Sequence, residues 1–274
     1  MKNKLSLWSG PKSAAAGILA VAMLITSGTS DQIQMGEYPP SYGLGSAKYL
    51  EGTNLLYSLF VDTPDSSWTQ EEKENTLKMV GLATEYIEDA AAEYQKEAEF
   101  IYDWQENDDL IGQAEVDFSI RDEVDFTDDL NRALVTWKKE IVSYEDYMEA
   151  YQVDGMAMLV FVNNPGTSYT IVFDGMDSQK ESVILFAQEP LAVYAHEIMH
   201  LFGARDLYRG ADYTREVTDY IASAYPTEIM YTVLGSDGSK YYDKIVNEVS
   251  PITAYHLGWI DYVEEIDMFP ELKR

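Results

Sequence analysis

The chain has 274 residues, 46% of them hydrophobic, which is enough to bury one sizeable core. Its 48 acidic residues outnumber 19 basic ones, and the formal net charge of −29 at pH 7 argues against nucleic acid and anionic lipid as partners. The chain contains no cysteine, so disulfide bonds, thiolate metal ligands and a cysteine nucleophile are excluded.

Residues 1–30 have the pattern of a secretory signal peptide. Lysines precede an apolar run over 14–26, and small residues follow it at 27–30. The run is short for a membrane span, which needs about 20 residues. We therefore expect export to the extracellular space and no stable membrane association once residues 1–30 are removed. The alternative is an N-terminal membrane anchor that keeps the protein facing outside.

Residues 31–52 contain two adjacent prolines and several glycines, and they are expected to form a flexible leader or linker. Residues 53–274 are expected to form one domain, with an N-terminal part to about residue 203 and a C-terminal part over 204–274. Apolar runs predict strands, and three- to four-residue apolar spacing predicts helices. The predicted strands are 54–61, 100–104, 158–162, 169–173 and 183–186, and the predicted helices are 69–97, 130–151, 190–202 and 251–259.

This order of elements predicts an α+β (mixed α/β) fold, in which helices pack on a twisted mixed sheet. Turn signals at 163–166 and 174–175 predict local hairpins between the later strands. The very acidic stretch over 106–129 is expected to be a surface loop around a short strand. The C-terminal part is expected to be small and mostly helical.

The predicted helix over 190–202 carries the chemistry. It contains H-E-x-x-H, which places His196 and His200 within about 40° of each other on one helix face, with Glu197 at the border of that face. Two neutral imidazoles four residues apart suit a divalent metal ion, and zinc fits this donor set best. Gly203 is suited to ending the helix in a left-handed conformation.

Two acidic residues compete as the third metal ligand. Gly203 lets the chain turn sharply, so Asp206 can return to the metal in the pattern H-E-x-x-H-x-x-G-x-x-D. Glu216 is the alternative third ligand, because Arg215-Glu216-Val217-Thr218-Asp219 resembles the glutamate-bearing helix of thermolysin-type enzymes. The turn at Gly203 favours Asp206.

The segments around this motif resemble a known family. The segments 196–208, 228–231 and 250–259 together resemble the immune inhibitor A family of secreted bacterial metallopeptidases, which are of metzincin type. Aspartate as third ligand is similar to snapalysin. The resemblance covers roughly residues 180–262 and implies a metzincin-like catalytic domain that binds one zinc ion and hydrolyses proteins or peptides.

The resemblance also implies roles for two residues of the segment 228–231. Met230 stands where such enzymes have a methionine turn under the metal, and Tyr231 is placed to donate a hydrogen bond to a developing oxyanion. The preceding Glu228-Ile229 departs from the metzincin pattern, so Met230 is equally compatible with an ordinary core position.

The remaining histidine, His256, lies in the last predicted helix and is expected at a core or surface position. The acidic clusters Asp128-Asp129 and Asp237-Gly238-Ser239 lack the ligand spacing of a calcium loop, so the sequence gives calcium binding no support.

The leading hypothesis is a secreted zinc metalloendopeptidase in which a zinc-activated water is deprotonated by Glu197 as general base. One alternative is a secreted binding or surface protein that has the same fold and no activity. Another is a zinc amidohydrolase that acts on a non-protein substrate.

Overall fold

A six-stranded sheet organises the fold. The computed structural model describes residue 47 and residues 50–102, 108–119, 129–130, 132–134, 143–171, 181–210 and 213–273. The strands are β1 (Gly52–Asp62), β2 (Ala98–Ile101), β3 (Ile111–Glu115), β4 (Gly155–Val162), β5 (Tyr169–Ile171) and β6 (Ser182–Phe186).

The strand order is β2-β1-β4-β6-β5, and β3 also pairs with β1. β4 pairs with β1 along one edge of that strand. Along the other edge, β2 pairs with the first part of β1 and β3 pairs with its last part. All of these pairs are parallel except β5 with β6, which is antiparallel. The predicted hairpins are therefore wrong for β4 and β5, because β4 pairs with β6 in parallel and β5 lies beyond β6.

Every residue of β4 and of β6 is buried, which is expected where helices or loops cover both faces of a parallel sheet. On one face the core includes Leu56, Phe60 and Phe161, and on the other face it includes Leu55 and Val160. This arrangement of helices on a mostly parallel sheet confirms the predicted mixed α/β class.

Over the described ranges, the helices with defined ends are α1 (Gln70–Glu93), α2 (Tyr144–Tyr151), α3 (Leu191–His200), α4 (Arg215–Ala224), α5 (Pro251–His256) and α6 (Glu265–Met268). Residues 129–130 and 132–134 are helical as well. Short 3-10 turns occupy Asp108–Leu110 and Pro270–Leu272. Thr69 and Glu72 form a capping box at the start of α1, because each side chain accepts a hydrogen bond from the other residue's backbone.

The predicted continuous helix over 130–151 is wrong. Ser143 has an extended backbone, and its hydroxyl accepts a hydrogen bond from the backbone N–H of Asp146, so it begins a separate helix, α2. The apolar spacing continues through Ser143, but a serine that caps the next turn interrupts the helix there.

The C-terminal part contains the helices α4, α5 and α6 with irregular segments between them, and it is joined to the rest of the domain. Trp259 donates its indole N–H to the carbonyl of Leu50, and the hydroxyl of Tyr94 on α1 donates to the carbonyl of Val249. Ala47 and Leu50 are buried, so this end of the predicted linker packs into the core.

The predicted signal peptide over 1–30 lies outside the described residues. Within them, no helix is both long enough and apolar enough to cross a membrane.

Candidate metal centre

Helix α3 positions the two histidines. Nine of its ten residues are buried, and Tyr194 and Ile198 belong to the core between the helices and the sheet. The helix begins after Pro190, whose extended backbone precedes the first turn. His196 and His200 follow one turn apart, with ring centroids 4.7 Å apart and ring planes at 87°.

The turn after α3 depends on Gly203, whose φ is +101°. The N–H of Gly203 donates to the carbonyl of His200, and the N–H of Ala204 donates to the carbonyl of Met199. This pair of hydrogen bonds is the Schellman motif, in which a left-handed glycine satisfies the last carbonyls of a helix. The turn leads the chain back towards the histidines, as the sequence predicted.

Backbone carbonyls fix the orientation of both imidazoles. His196 Nδ1 lies 3.0 Å from the carbonyl oxygen of Ile229, and His200 Nδ1 lies 2.8 Å from that of Ala204. A carbonyl oxygen can only accept, so each Nδ1 carries the proton and each Nε2 of a neutral ring presents a lone pair. Hydrogen bonds of this kind orient histidine ligands in metal sites.

The Nε2 atoms converge with one carboxylate oxygen. The two Nε2 atoms are 3.1 Å apart. Asp206 Oδ1 lies 3.1 Å from His196 Nε2 and 3.2 Å from His200 Nε2. Ligands at 2.0–2.1 Å in tetrahedral geometry stand about 3.3 Å from one another, so this spacing fits a small divalent ion. His196, His200 and Asp206 therefore form a group that could hold a metal ion.

His200 and Asp206 shift each other's pKa values in favour of the charged forms. Burial alone would lower the pKa of His200, but Asp206 beside it and the nearby charge of Glu197 outweigh burial and raise that pKa to about 9. Burial likewise opposes ionisation of Asp206, yet the two histidines at hydrogen-bonding distance bring its pKa well below the usual range. The site therefore favours a positive charge on His200 and a negative charge on Asp206.

Glu197 is buried next to this group. The hydroxyl oxygen of Thr170, on β5, lies 2.8 Å from Glu197 Oε2 and 2.7 Å from the backbone oxygen of Glu197. Sequence reasoning did not single out Thr170, because its contact with Glu197 depends on how β5 packs against α3.

The segment 228–231 acts on the site through its backbone. Ile229 supplies the carbonyl that orients His196, and the carbonyl of Met230 accepts from the N–H of Leu207, the residue after Asp206. The Met230 side chain is fully buried in the main core cluster. Glu228 was not identified as a candidate from the sequence, although Glu228-Ile229 departs there from the metzincin pattern.

Glu228 is buried beneath this segment and holds it in place. Its Oε2 accepts from the N–H of Tyr231 at 2.8 Å, and its Oε1 accepts from the hydroxyl of Thr253 at 2.5 Å. Burial raises the pKa of Glu228 to about 7, although these hydrogen bonds favour its charged form.

A pocket of about 380 Å³ lies beside Tyr208, which contacts Asp206. Tyr208 and Tyr231 line this pocket, and Arg209 and Asp219 add opposite charges to its wall. The hydroxyl of Tyr208 donates to Asp206 Oδ2, the oxygen that does not face the histidines, at 2.9 Å. Tyr231 therefore shares a pocket with Tyr208, the residue whose hydroxyl contacts the candidate ligand Asp206.

The other predicted candidates lie elsewhere. Glu216 is exposed in the first turn of α4, outside the group of three ligands. His256 is a core histidine, as expected, and its Nε2 lies 2.8 Å from the carbonyl oxygen of Leu272. Asp237 caps a surface turn by accepting from the N–H of Ser239. Asp128 lies outside the described residues.

No protein-family model matches this chain, and no curated protein matches it either. Fold and site together define the class: a mixed α/β protein with a partly buried His-His-Asp group that could hold a metal ion, and whose two histidines lie on a helix that also carries a buried glutamate.

Proposed function

We propose that this protein is a zinc-dependent metalloendopeptidase with His196, His200 and Asp206 as metal ligands and Glu197 as general base. The observation that carries the proposal is the convergence of three atoms within 3.2 Å of one another: the Nε2 atoms of two histidines on α3 and one carboxylate oxygen of Asp206, which lies in the turn after that helix. Glu197 belongs to the same helix as the two histidines. Zinc is the favoured ion, because two imidazoles and a carboxylate with a further open position are typical of catalytic zinc.

We propose that Glu197 moves the proton in this reaction. It directly follows His196 on α3, and its side chain is buried. A bound zinc ion would supply a Lewis acid and lower the pKa of an attacking water towards 7. Glu197 would take one proton from that water as its oxygen bonds to the scissile carbonyl carbon, and would then give the proton to the departing amine nitrogen.

Protein or peptide substrates are the proposed partners, acted on outside the cell after removal of residues 1–30. The pocket lined by Tyr208 and Tyr231 is the proposed place for a substrate side chain, because the hydroxyl of Tyr208 also contacts the proposed ligand Asp206. Tyr231 is the candidate donor to the developing oxyanion. Mass spectrometry of the exported protein tests the location, because a chain that still begins at Met1 would contradict removal of the signal peptide.

The test uses the purified chain from residue 31 onwards. We expect one zinc per chain by elemental analysis and cleavage of casein that stops with a chelator and returns with zinc. Glu197→Gln should keep the zinc and lose at least about a hundred-fold in cleavage rate, because a general base contributes about 10²–10⁴. Glu216→Gln, an exposed glutamate, is the matched control and should cleave like the wild type.

Three outcomes would contradict the proposal. Undiminished cleavage by Glu197→Gln would remove the general-base role. Zinc binding without cleavage of casein or unfolded peptides would favour the inactive binding protein. Hydrolysis of small acylated amides without protein cleavage would favour the amidohydrolase.

A further inference from the structure

We propose that Thr170 is a positioning residue whose hydroxyl holds the Glu197 carboxylate in its working orientation. The inference rests on the proposed function of Glu197 as general base. Thr170 lies in the middle of β5, where it pairs with Val183 of β6, and this strand packs against α3. Its side chain therefore reaches Glu197 from a different element of the fold.

The end of α3 leaves the carbonyl of Glu197 without its usual helical donor. In a regular helix the N–H of Leu201 would donate to this carbonyl, but that N–H donates to the carbonyl of Ile198 instead. The hydroxyl of Thr170 lies 2.7 Å from the Glu197 oxygen, within hydrogen-bond range. One hydroxyl thus serves a carbonyl that the helix has left open.

The same hydroxyl lies 2.8 Å from Glu197 Oε2. Two oxygens of one residue, the carbonyl and the carboxylate, therefore turn towards a single point, which is unfavourable unless a donor stands between them. The hydroxyl of Thr170 has a single proton, and it is shared between the two oxygens in a bifurcated hydrogen bond. Without this hydroxyl, the two oxygens would face each other with no donor between them, and the carboxylate would rotate away. A displacement of about 1 Å can lower the rate that a catalytic group supports by about a hundred-fold.

Thr170→Val removes the hydroxyl and nearly preserves the shape of the side chain. We expect kcat for casein-derived peptides to fall at least about ten-fold, while KM and the zinc dissociation constant stay within about two-fold of wild type. Thr170→Ser keeps a hydroxyl and should restore most of kcat. A crystal structure of metal-free Thr170→Val should show the Glu197 carboxylate turned away from residue 170.

The matched control is Thr84→Val. Thr84 is buried, whereas Thr170 is part-buried, and the hydroxyl of Thr84 donates to the carbonyl of Gly81 within α1. It reports what the loss of a buried hydroxyl does through stability alone. Equal losses of kcat in Thr84→Val and Thr170→Val would overturn the positioning role, and so would wild-type kcat in Thr170→Val.

The crystal structure separates this inference from the proposed function. If the zinc-loaded wild type cleaves no peptide, the proposed function fails, and the orientation of Glu197 in Thr170→Val still decides the role of Thr170. A Glu197 side chain that stays in its wild-type position would overturn the inference whatever the activity.

Discussion

Replacing Glu228 with glutamine should change how the stability of the metal-free protein depends on pH. Burial raises the pKa of Glu228 from 4.5 to about 7, although Thr253 and the backbone N–H of Tyr231 donate hydrogen bonds to the carboxylate. Glutamine can keep both contacts, because its amide oxygen can accept from Tyr231 and its amide nitrogen can donate to the hydroxyl of Thr253. The substitution therefore removes the titration and keeps the packing.

The sign follows from where the proton is held. Between pH 4.5 and 7 the unfolded chain ionises at Glu228, while the folded protein keeps the proton. The folded state binds more protons there, so the free energy of unfolding of the wild type falls as the pH rises through this window. A pKa raised from 4.5 to about 7 corresponds to about 3 kcal/mol, of which roughly 2.5 kcal/mol is lost between pH 5 and 8.

Urea unfolding of chelator-treated proteins at pH 5, 6, 7 and 8 measures this effect. The stability of Glu228→Gln relative to wild type should rise by roughly 2.5 kcal/mol from pH 5 to pH 8. Glu216→Gln, at an exposed position, should show a constant difference from wild type over the same range. Parallel pH profiles for Glu228→Gln and wild type would refute the reasoning, since they would mean that Glu228 titrates alike in both states.

Two further predictions concern the candidate metal centre. Asp206→Asn should weaken zinc binding at least about a hundred-fold, because it removes the negative ligand, whereas Glu216→Gln should leave it unchanged. Competition with a chromophoric chelator measures both, and the reverse order would make Glu216 the third ligand. Gly203→Ala should lower the free energy of unfolding by about 1–2 kcal/mol, because φ at this position is +101°. It should also weaken zinc binding, because the turn supplies the carbonyl that orients His200, and unchanged stability and affinity would contradict that reading.

The local features of the site were predictable from the sequence. The spacing of His196 and His200 is a property of a single helix, and Gly203 marks a turn that local backbone energetics require. Asp206 follows three residues later, so a sharp reversal is enough to bring it back. Each of these predictions needed only a short stretch of chain.

The supporting residues were not predictable in this way. Ile229 reaches His196 across 33 positions, and Thr170 reaches Glu197 across 27. Such pairs form only when separate elements pack together, and neither helical nor strand periodicity encodes that packing. The strand order could not be predicted either. The apolar run of β4 predicts a buried strand, but it does not predict that β4 pairs with β6 and not with β5, which follows it in the chain.

The geometry of the ligand group itself requires a positive charge. With both Nδ1 atoms donating to backbone carbonyls, two Nε2 lone pairs and Asp206 Oδ1 face one another at 3.1–3.2 Å, an arrangement of acceptors only. In the metal-free protein a proton on His200 supplies part of this positive charge, because Asp206 beside it and the charge of Glu197 outweigh burial and raise the pKa of His200 to about 9. A proton can link only two of these three acceptor atoms by a short hydrogen bond. A divalent ion placed among them would contact both Nε2 atoms and Asp206 Oδ1. Metal binding therefore competes with that proton, and we expect acidification to weaken it.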